Sequence, residues 1–314
     1  MDFELLNKRV WVAGHRGMVG SAITRRLADE GCQVLIARRE EVDLREQVQV
    51  RSWMEIHRPD AIFLAAAKVG GILANDTRPA EFLFDNLAIQ TNVIETAHRV
   101  GVAKMLLLGS SCIYPKMAEQ PIVENALLTG PLELTNEAYA IAKITGIKLG
   151  QAYRKQYGCN FISVMPTNLY GPFDNFDLSS SHVLPALIRK IHAAKQTGED
   201  VSIWGTGEPY REFLHVDDLA DACVFLMKNY SSADIINVGT GADLRIQDLA
   251  ELIAEIIGFK GCFVYDRSKP DGTPRKRLDV SRLAEAGWQA RIQLRDGIAK
   301  TYQWFLQNDP SVVV

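Results

Sequence analysis

Tyr139-Ala140-Ile141-Ala142-Lys143 sets a phenol and an ammonium four residues apart, a spacing that brings both to one face of an α-helix. A tyrosine at its ordinary pKa of ~10 exchanges protons poorly at neutral pH, and a neighbouring positive charge favours the phenolate and draws it toward the working range. The two therefore read as a proton-transfer pair. A bare YxxxK also arises as a surface pair on a helix, so its surroundings decide. Upstream, Gly109-Ser110-Ser111 closes the apolar run Met105 to Leu108, where a hydroxyl can help the phenol polarise a carbonyl.

The surroundings include Gly14-His15-Arg16-Gly17-Met18-Val19-Gly20, which follows the apolar run Val10 to Ala13 and opens a helical pattern. In this GxxGxxG spacing glycines permit a tight turn and let a pyrophosphate approach the backbone at a helix N-terminus. Gly14, His15, Arg16, Gly17, Met18, Val19 and Gly20 are expected to line a dinucleotide, and Lys143 to hold its nicotinamide ribose. The end of the second strand decides which dinucleotide. An acidic residue there would bind a ribose 2′-hydroxyl, but the chain offers Ala37-Arg38-Arg39, and arginine suits a 2′-phosphate. NADP(H) is the expected cofactor, with Arg16 assisting; a solvated strand end is the other reading of Arg38 and Arg39. Asp43 is a weaker candidate for the adenine edge, equally a plain loop residue.

Such residues need a rigid frame, and the pattern supplies one. Val10 to Ala13, Val34 to Ala37, Ile62 to Ala66, Met105 to Leu108 and Phe161 to Met165 are short apolar runs separated by helical patterns, one of them Asn136 to Tyr157. That alternation predicts βαβ units and an α/β fold, a doubly wound parallel (Rossmann) sheet. After residue 165 the rhythm turns irregular, while Phe213 to Met227 and Ile235 to Val238 read as a return to the sheet layer. The expected division is a cofactor-binding domain over 1–165 with 212–240 returning to it, and a smaller α/β substrate domain from 166–211 and 241–314.

The 314 residues, 47% of them hydrophobic, are enough for both. The net charge of −3 argues against a broad cationic surface for nucleic acid or an anionic membrane, so any anionic ligand must be held by local groups. Five scattered cysteines, Cys32, Cys112, Cys159, Cys223 and Cys262, contain no CxxC pair, which argues against a disulfide framework or a metal site. With no basic leader and no apolar run of membrane length, the expected location is cytoplasmic.

Together the glycine loop, Ser110, Tyr139 and Lys143 resemble the extended short-chain dehydrogenase/reductase family, which implies a catalytic Ser-Tyr-Lys set at those positions. One departure is Ala13 where the family usually has threonine before the first glycine. Longer runs resemble one nucleotide-sugar branch of that family nearly end to end: Ala65-Ala66-Ala67-Lys68-Val69-Gly70-Gly71, Gly109-Ser110-Ser111-Cys112-Ile113-Tyr114-Pro115-Lys116, Pro166-Thr167-Asn168-Leu169-Tyr170-Gly171-Pro172, Arg211-Glu212-Phe213-Leu214-His215-Val216-Asp217-Asp218 and Lys269-Pro270-Asp271-Gly272-Thr273-Pro274-Arg275-Lys276. The implied reaction is epimerisation of GDP-4-keto-6-deoxy-D-mannose at C3 and C5 of the hexose, then reduction of C4 by NADPH to give GDP-L-fucose.

Both epimerised carbons are α to the ketone, so each inversion needs a base and an acid on opposite faces. Cys112, two residues after Ser110, and His182, beside Ser179-Ser180-Ser181, titrate near enough to neutrality, and the resemblance implies the same two. Leu108, Gly109, Ser110, Ser111, Tyr139, Lys143, Pro166, Thr167, Asn168, Leu169 and His182 are expected along the cofactor, with Asn168 ordering the loop beside its nicotinamide. Lys190, Trp204, Arg211 and Asp271 are the implied contacts to the GDP-sugar; Arg275 is a further cation for its pyrophosphate. A homodimer is implied, pairing through helices near Asp85 to Arg99 and Asn136 to Tyr157. Two rival readings stand beside this one: a redox-neutral epimerase or dehydratase that retains NAD, and a non-catalytic NADP-binding regulator.

Overall fold

A computed structural model describes residues 3–309. Its first strand shows why the sheet is buried on both sides: in β1, Arg9–Ala13, Val10 and Val12 enter one apolar core while Trp11 and Ala13 enter the other. The chain continues through α1 (Met18–Arg26), β2 (Gln33–Leu35), α2 (Gln47–His57), β3 (Ala61–Leu64), α3 (Ile72–Thr77), α4 (Pro79–Val100), β4 (Lys104–Leu108), α5 (Glu137–Tyr157) and β5 (Phe161–Pro166). It then leaves the sheet for β6 (Asn168–Tyr170), α6 (Val183–Thr197), β7 (Val201–Trp204) and β8 (Tyr210–His215), and returns with α7 (Val216–Asn229) and β9 (Ile236–Val238). The remainder is β10 (Asp243–Arg245), α8 (Ile246–Ile257), β11 (Phe263–Asp266), β12 (Arg275–Lys276), α9 (Ser281–Glu285) and α10 (Leu294–Asn308).

The main sheet runs β2-β1-β3-β4-β5-β9, every neighbouring pair parallel. Because β2 and β3 lie on opposite sides of β1, the connections diverge there and open a crevice at the strands' carboxyl ends, where ligands bind in open α/β sheets. Helices α1 and α7 share the core on one face, and α2, α4 and α5 that on the other. A third core joins α6, α8 and α10 with Phe213 and Ile203. A smaller sheet, β10-β8-β12 with β6 also on β8, and the β7–β11 pair complete the second layer. Among the described residues no helix is long and apolar enough to cross a membrane.

Two local readings are corrected. The second strand ends at Leu35 instead of Ala37, leaving Arg38 and Arg39 in the following loop. Phe213 to Met227 is the end of β8 followed by a helix whose buried residues join α1. The return to the large sheet also extends past residue 240: Leu283 and Trp288 pack in the α1/α7 core, and Leu278 in the opposite one.

Glu212 ties these pieces together. It is fully buried, and its carboxylate accepts backbone N–H bonds from Thr240 at 2.6 Å, Gly241 at 2.8 Å and Leu278 at 2.7 Å. Its carbonyl accepts from Thr167 Oγ1 at 3.1 Å and Asn168 Nδ2 at 2.8 Å. Burial raises the Glu212 pKa while those backbone donors pull against it. A buried carboxylate without them would cost several kcal/mol.

Candidate active site

The glycine loop is shaped by backbone contact. Gly14 has φ +92°, and a Cβ there would sit 2.6 Å from the Ala66 nitrogen, so the loops after β1 and β3 touch. A Cβ on Gly20 would overlap the Gly14 carbonyl. Gly17 is different: a Cβ there would meet only the Gly14 oxygen, at 3.6 Å, so the protein itself leaves room above it. Gly17 caps α1, and no side chain satisfies that helix's first N–H groups. An open surface and free amides at a helix N-terminus fit a pyrophosphate.

The cations expected at the ribose are exposed, and they differ in freedom. Arg39 Nε lies 3.5 Å from Asp43, and Arg16 lies 4.0 Å from Glu40. Arg16 and Arg38 both act on His15, whose pKa is lowered by partial burial first and then by those two charges. That places Arg16 and Arg38 around the loop. Asp43 is engaged by Arg45, with Nη2 at 2.6 Å and Nε at 3.0 Å, which holds its carboxyl down at about 2. Its carboxylate thus fixes the loop that follows β2.

The catalytic set gathers at the end of β4. Gly109 packs against the Met165 side chain, Ser110 Oγ accepts the Cys112 N–H at 3.2 Å, and Lys143 reaches from α5 to donate to the Leu108 carbonyl at 2.8 Å. Lys143 is only 3% exposed; burial lowers its pKa to about 8. Its nitrogen stands 5.8 Å from the centre of the Tyr139 ring. The phenol, however, is not drawn toward neutrality as the spacing suggests. Burial raises its pKa, the nearby Cys112 adds to the rise, and Ser110 opposes it by hydrogen bonding. Desolvation of the phenolate is the largest of these effects.

Two donors converge on the Cys112 sulfur: Asn136 Nδ2 at 3.5 Å and Lys276 Nζ at 3.7 Å. His182 sits at the N-terminal cap of α6 without capping through its side chain, and its pKa is lowered by desolvation and then by Lys276. The loop before it is pinned by Gly71, whose N–H donates to the Ser180 carbonyl at 2.9 Å. Thr167 and Asn168, between β5 and β8, spend their side chains on the Glu212 carbonyl, an ordering role; buried Pro166 ends β5 and Leu169 packs into the α1/α7 core.

On the substrate side, Lys190 donates to the Ser202 carbonyl at 2.9 Å and stands 5.5 Å above the Trp204 ring, with Lys269 5.6 Å from the same ring. The indole is thus an exposed plate with two ammoniums within cation–π distance of its ring. Arg211 donates to the carbonyls of Tyr210 at 2.8 Å and Asp271 at 3.2 Å. Asp271 gives both carboxylate oxygens to Thr206, at 2.8 and 3.0 Å, and so shapes a turn. Arg275 is paired with Asp243 at 2.6 and 2.8 Å; its charge is not free for a phosphate. Asn136 Oδ1 and Ser181 Oγ are buried without hydrogen-bond partners, a state that marks sites where polar ligand atoms fit.

The sequence pattern of the NAD dependent epimerase/dehydratase family matches residues 10–239. The chain belongs to that family. Within the NAD dependent epimerase/dehydratase family it is 59% identical to a GDP-L-fucose synthase of Sinorhizobium fredii over 98% of this chain and 99% of that one. Among solved structures it is similar to a GDP-6-OMe-4-keto-L-xylo-heptose reductase from C. jejuni (TM-score 0.92, 34% identity, 98% and 100% of the two chains) and to a GDP-L-fucose synthetase from Naegleria fowleri bound to NADP (0.88, 30%, 96% and 95%).

The epimerase/dehydratase pattern ends at residue 239, yet the site does not. Lys269, Asp271 and Lys276 reach back across it from the last quarter of the chain. Sequence reading missed Asn136, Lys269 and Lys276 as contacts. Asn136 stands three residues before Tyr139 at the helix cap, and that spacing was a usable signal; for the two lysines, position in a long motif was the only one.

Proposed function

We propose that this chain epimerises GDP-4-keto-6-deoxy-D-mannose at C3 and C5 and reduces its C4 ketone with NADPH, giving GDP-L-fucose. The observation that carries the reading is the thiol of Cys112 beside Ser110 and Tyr139. Reduction alone needs a hydroxyl, a phenol and an ammonium; a thiol and an imidazole are wanted only where carbons next to the ketone exchange protons. The similarity to GDP-L-fucose synthases over nearly the whole chain points the same way. Free Arg38 favours the phosphorylated cofactor over a retained NAD.

In this mechanism a base drawn from Cys112 and His182 removes the proton at C3 or C5, leaving negative charge on the C4 oxygen. Ser110 and Tyr139 donate hydrogen bonds to that oxygen. The other member of the pair returns a proton from the opposite face, which inverts the carbon. NADPH, bound on the glycine loop, supplies the hydride for C4. Tyr139 then gives its proton to the C4 oxygen, and Lys143, fixed by the Leu108 carbonyl, keeps a positive charge near the phenolate that results. Lys190 and Arg211 neutralise the pyrophosphate, Trp204 lies against the nucleotide, and Asp271 holds the turn that presents them.

The five free cysteines suit a reducing, cytoplasmic setting. Helices α4 and α5 pack on each other and expose Phe84, Ile141 and Tyr157, which supports a homodimer through that pair; a sedimenting species of one chain only would overturn it. Incubation with the keto sugar and NADPH in deuterated water tests the chemistry. Expected is a reduced product with solvent deuterium at both C3 and C5; a reduced product lacking either label overturns the reading.

A further inference from the structure

Resting on that reading, we propose that Lys276 is a positioning residue for epimerisation, its ammonium holding the Cys112 sulfur in the anionic form that accepts a proton from carbon. The residue arrives from far along the chain: β12 pairs in parallel with β8, setting Lys276 opposite Arg211, and its Nζ donates to Cys112 Sγ at 3.7 Å across 164 residues. With Asn136 Nδ2 at 3.5 Å, two donors point at one sulfur. A neutral thiol is a weak acceptor, whereas a thiolate takes both bonds and gains charge assistance from one of them.

Other charged and polar groups face the sulfur from neighbouring elements. Arg211, from β8, interacts with the Cys112 charge. Tyr139, from α5, is neutral, since its pKa is raised. Glu133 lines the same cleft, but Lys116 stands 3.4 Å from its carboxylate and offsets that negative charge. The Lys276 charge also bears on His182, where it follows desolvation as a cause of the lowered pKa. A proton placed on that imidazole is loosely held, as suits a group that must surrender it to carbon. One ammonium thus makes the sulfur a readier acceptor and the imidazole a readier donor.

The test is peptide-resolved alkylation of Cys112 by iodoacetamide across pH, in wild type and in Lys276→Met, Lys276→Gln and Lys276→Arg, without substrate. Expected in the Met and Gln variants is an alkylation rate near neutral pH lower by about ten-fold, with the profile moved to higher pH, while Cys32, Cys159, Cys223 and Cys262 are unmoved and Lys276→Arg recovers most of the rate. Solvent deuterium exchange into the keto sugar should fall through kcat, with the acid limb that reports deprotonation of the sulfur moved to higher pH. An unmoved Cys112 profile in Lys276→Gln and Lys276→Met, or a loss confined to KM for the sugar nucleotide, overturns the proposal and leaves Lys276 a phosphate contact. Failure of the functional reading is separate, since it would appear as no deuterium exchange by wild type.

Discussion

The glycine loop after β1 and the strand ends at β8 and β12, each assigned a phosphate-bearing ligand in the proposed function, are built by opposite means. In the loop, local backbone does everything: Gly14 and Gly20 touch carbonyls and amides, and the amides of α1 are left free. At β8 and β12 the shape comes from side chains distant in sequence, Asp271 on Thr206, Arg275 on Asp243 and Lys276 on Cys112. A motif built from backbone keeps its ligand-facing groups available. A cluster of charges, by contrast, spends some on itself, and only coordinates tell which remain.

Loss of Tyr139, beside Ser110 and Cys112, has the largest expected effect. Tyr139→Phe should lower ketone-dependent NADPH oxidation by about 10²–10⁴-fold with cofactor binding retained, measured by turnover beside fluorescence titration; unchanged turnover would revive a non-catalytic role. Within the loop, Gly20→Ala forces a Cβ onto the Gly14 carbonyl and should cost on the order of 3 kcal/mol of stability. Gly17→Ala has room in the protein, so its denaturation midpoint should hold while NADPH affinity falls. Equal melting losses in the two variants would refute the view that ligand space, not packing, requires Gly17.

Lys143 offers a test by pH. Its pKa falls from 10.5 to about 8 in the fold, so between those values the unfolded chain binds the proton more tightly and stability rises with pH; the penalty is fully present below about 8. Denaturant melts should find the stability of wild type, relative to Lys143→Met, improving by about 3 kcal/mol from pH 7 to pH 10.5. Turnover should fall as the ammonium is lost above about pH 8. A difference independent of pH would mean that Lys143 is not desolvated as described. Smaller still, Arg38→Ala should weaken NADPH binding by about ten-fold, with NADH unchanged. At the bottom, Arg275→Ala should alter KM for the GDP-sugar by no more than about two-fold, because the guanidinium is already committed to Asp243. A large KM effect would show that the pair opens for substrate.

What could be read in advance follows the same division. β1, β4, β5 and α5 stand within about a residue of their apolar runs, because parallel strands are apolar on both faces and α5 ends in a left-handed Gly158. The end of β2 was misread because Ile36 and Ala37 continue the apolar run although the pairing with β1 stops at Leu35. The direction of the Tyr139 shift is also beyond sequence, since helical spacing sets proximity and says nothing of how deeply the phenol is buried. The partners of Asp271 and Arg275 lie 65 and 32 residues away, out of reach of any linear reading.

Glu212 carries one more implication, for anyone who would swap specificities among such proteins. Its carboxylate is gripped by amides from 240, 241 and 278, three points that a cut near residue 241 would divide. A chimera joined at residue 241 would inherit an acid part of whose receptor, the Leu278 amide, belongs to another parent. Grafts should travel as the whole span from 166 to 278, or the recipient will have to rebuild the lock around a foreign key.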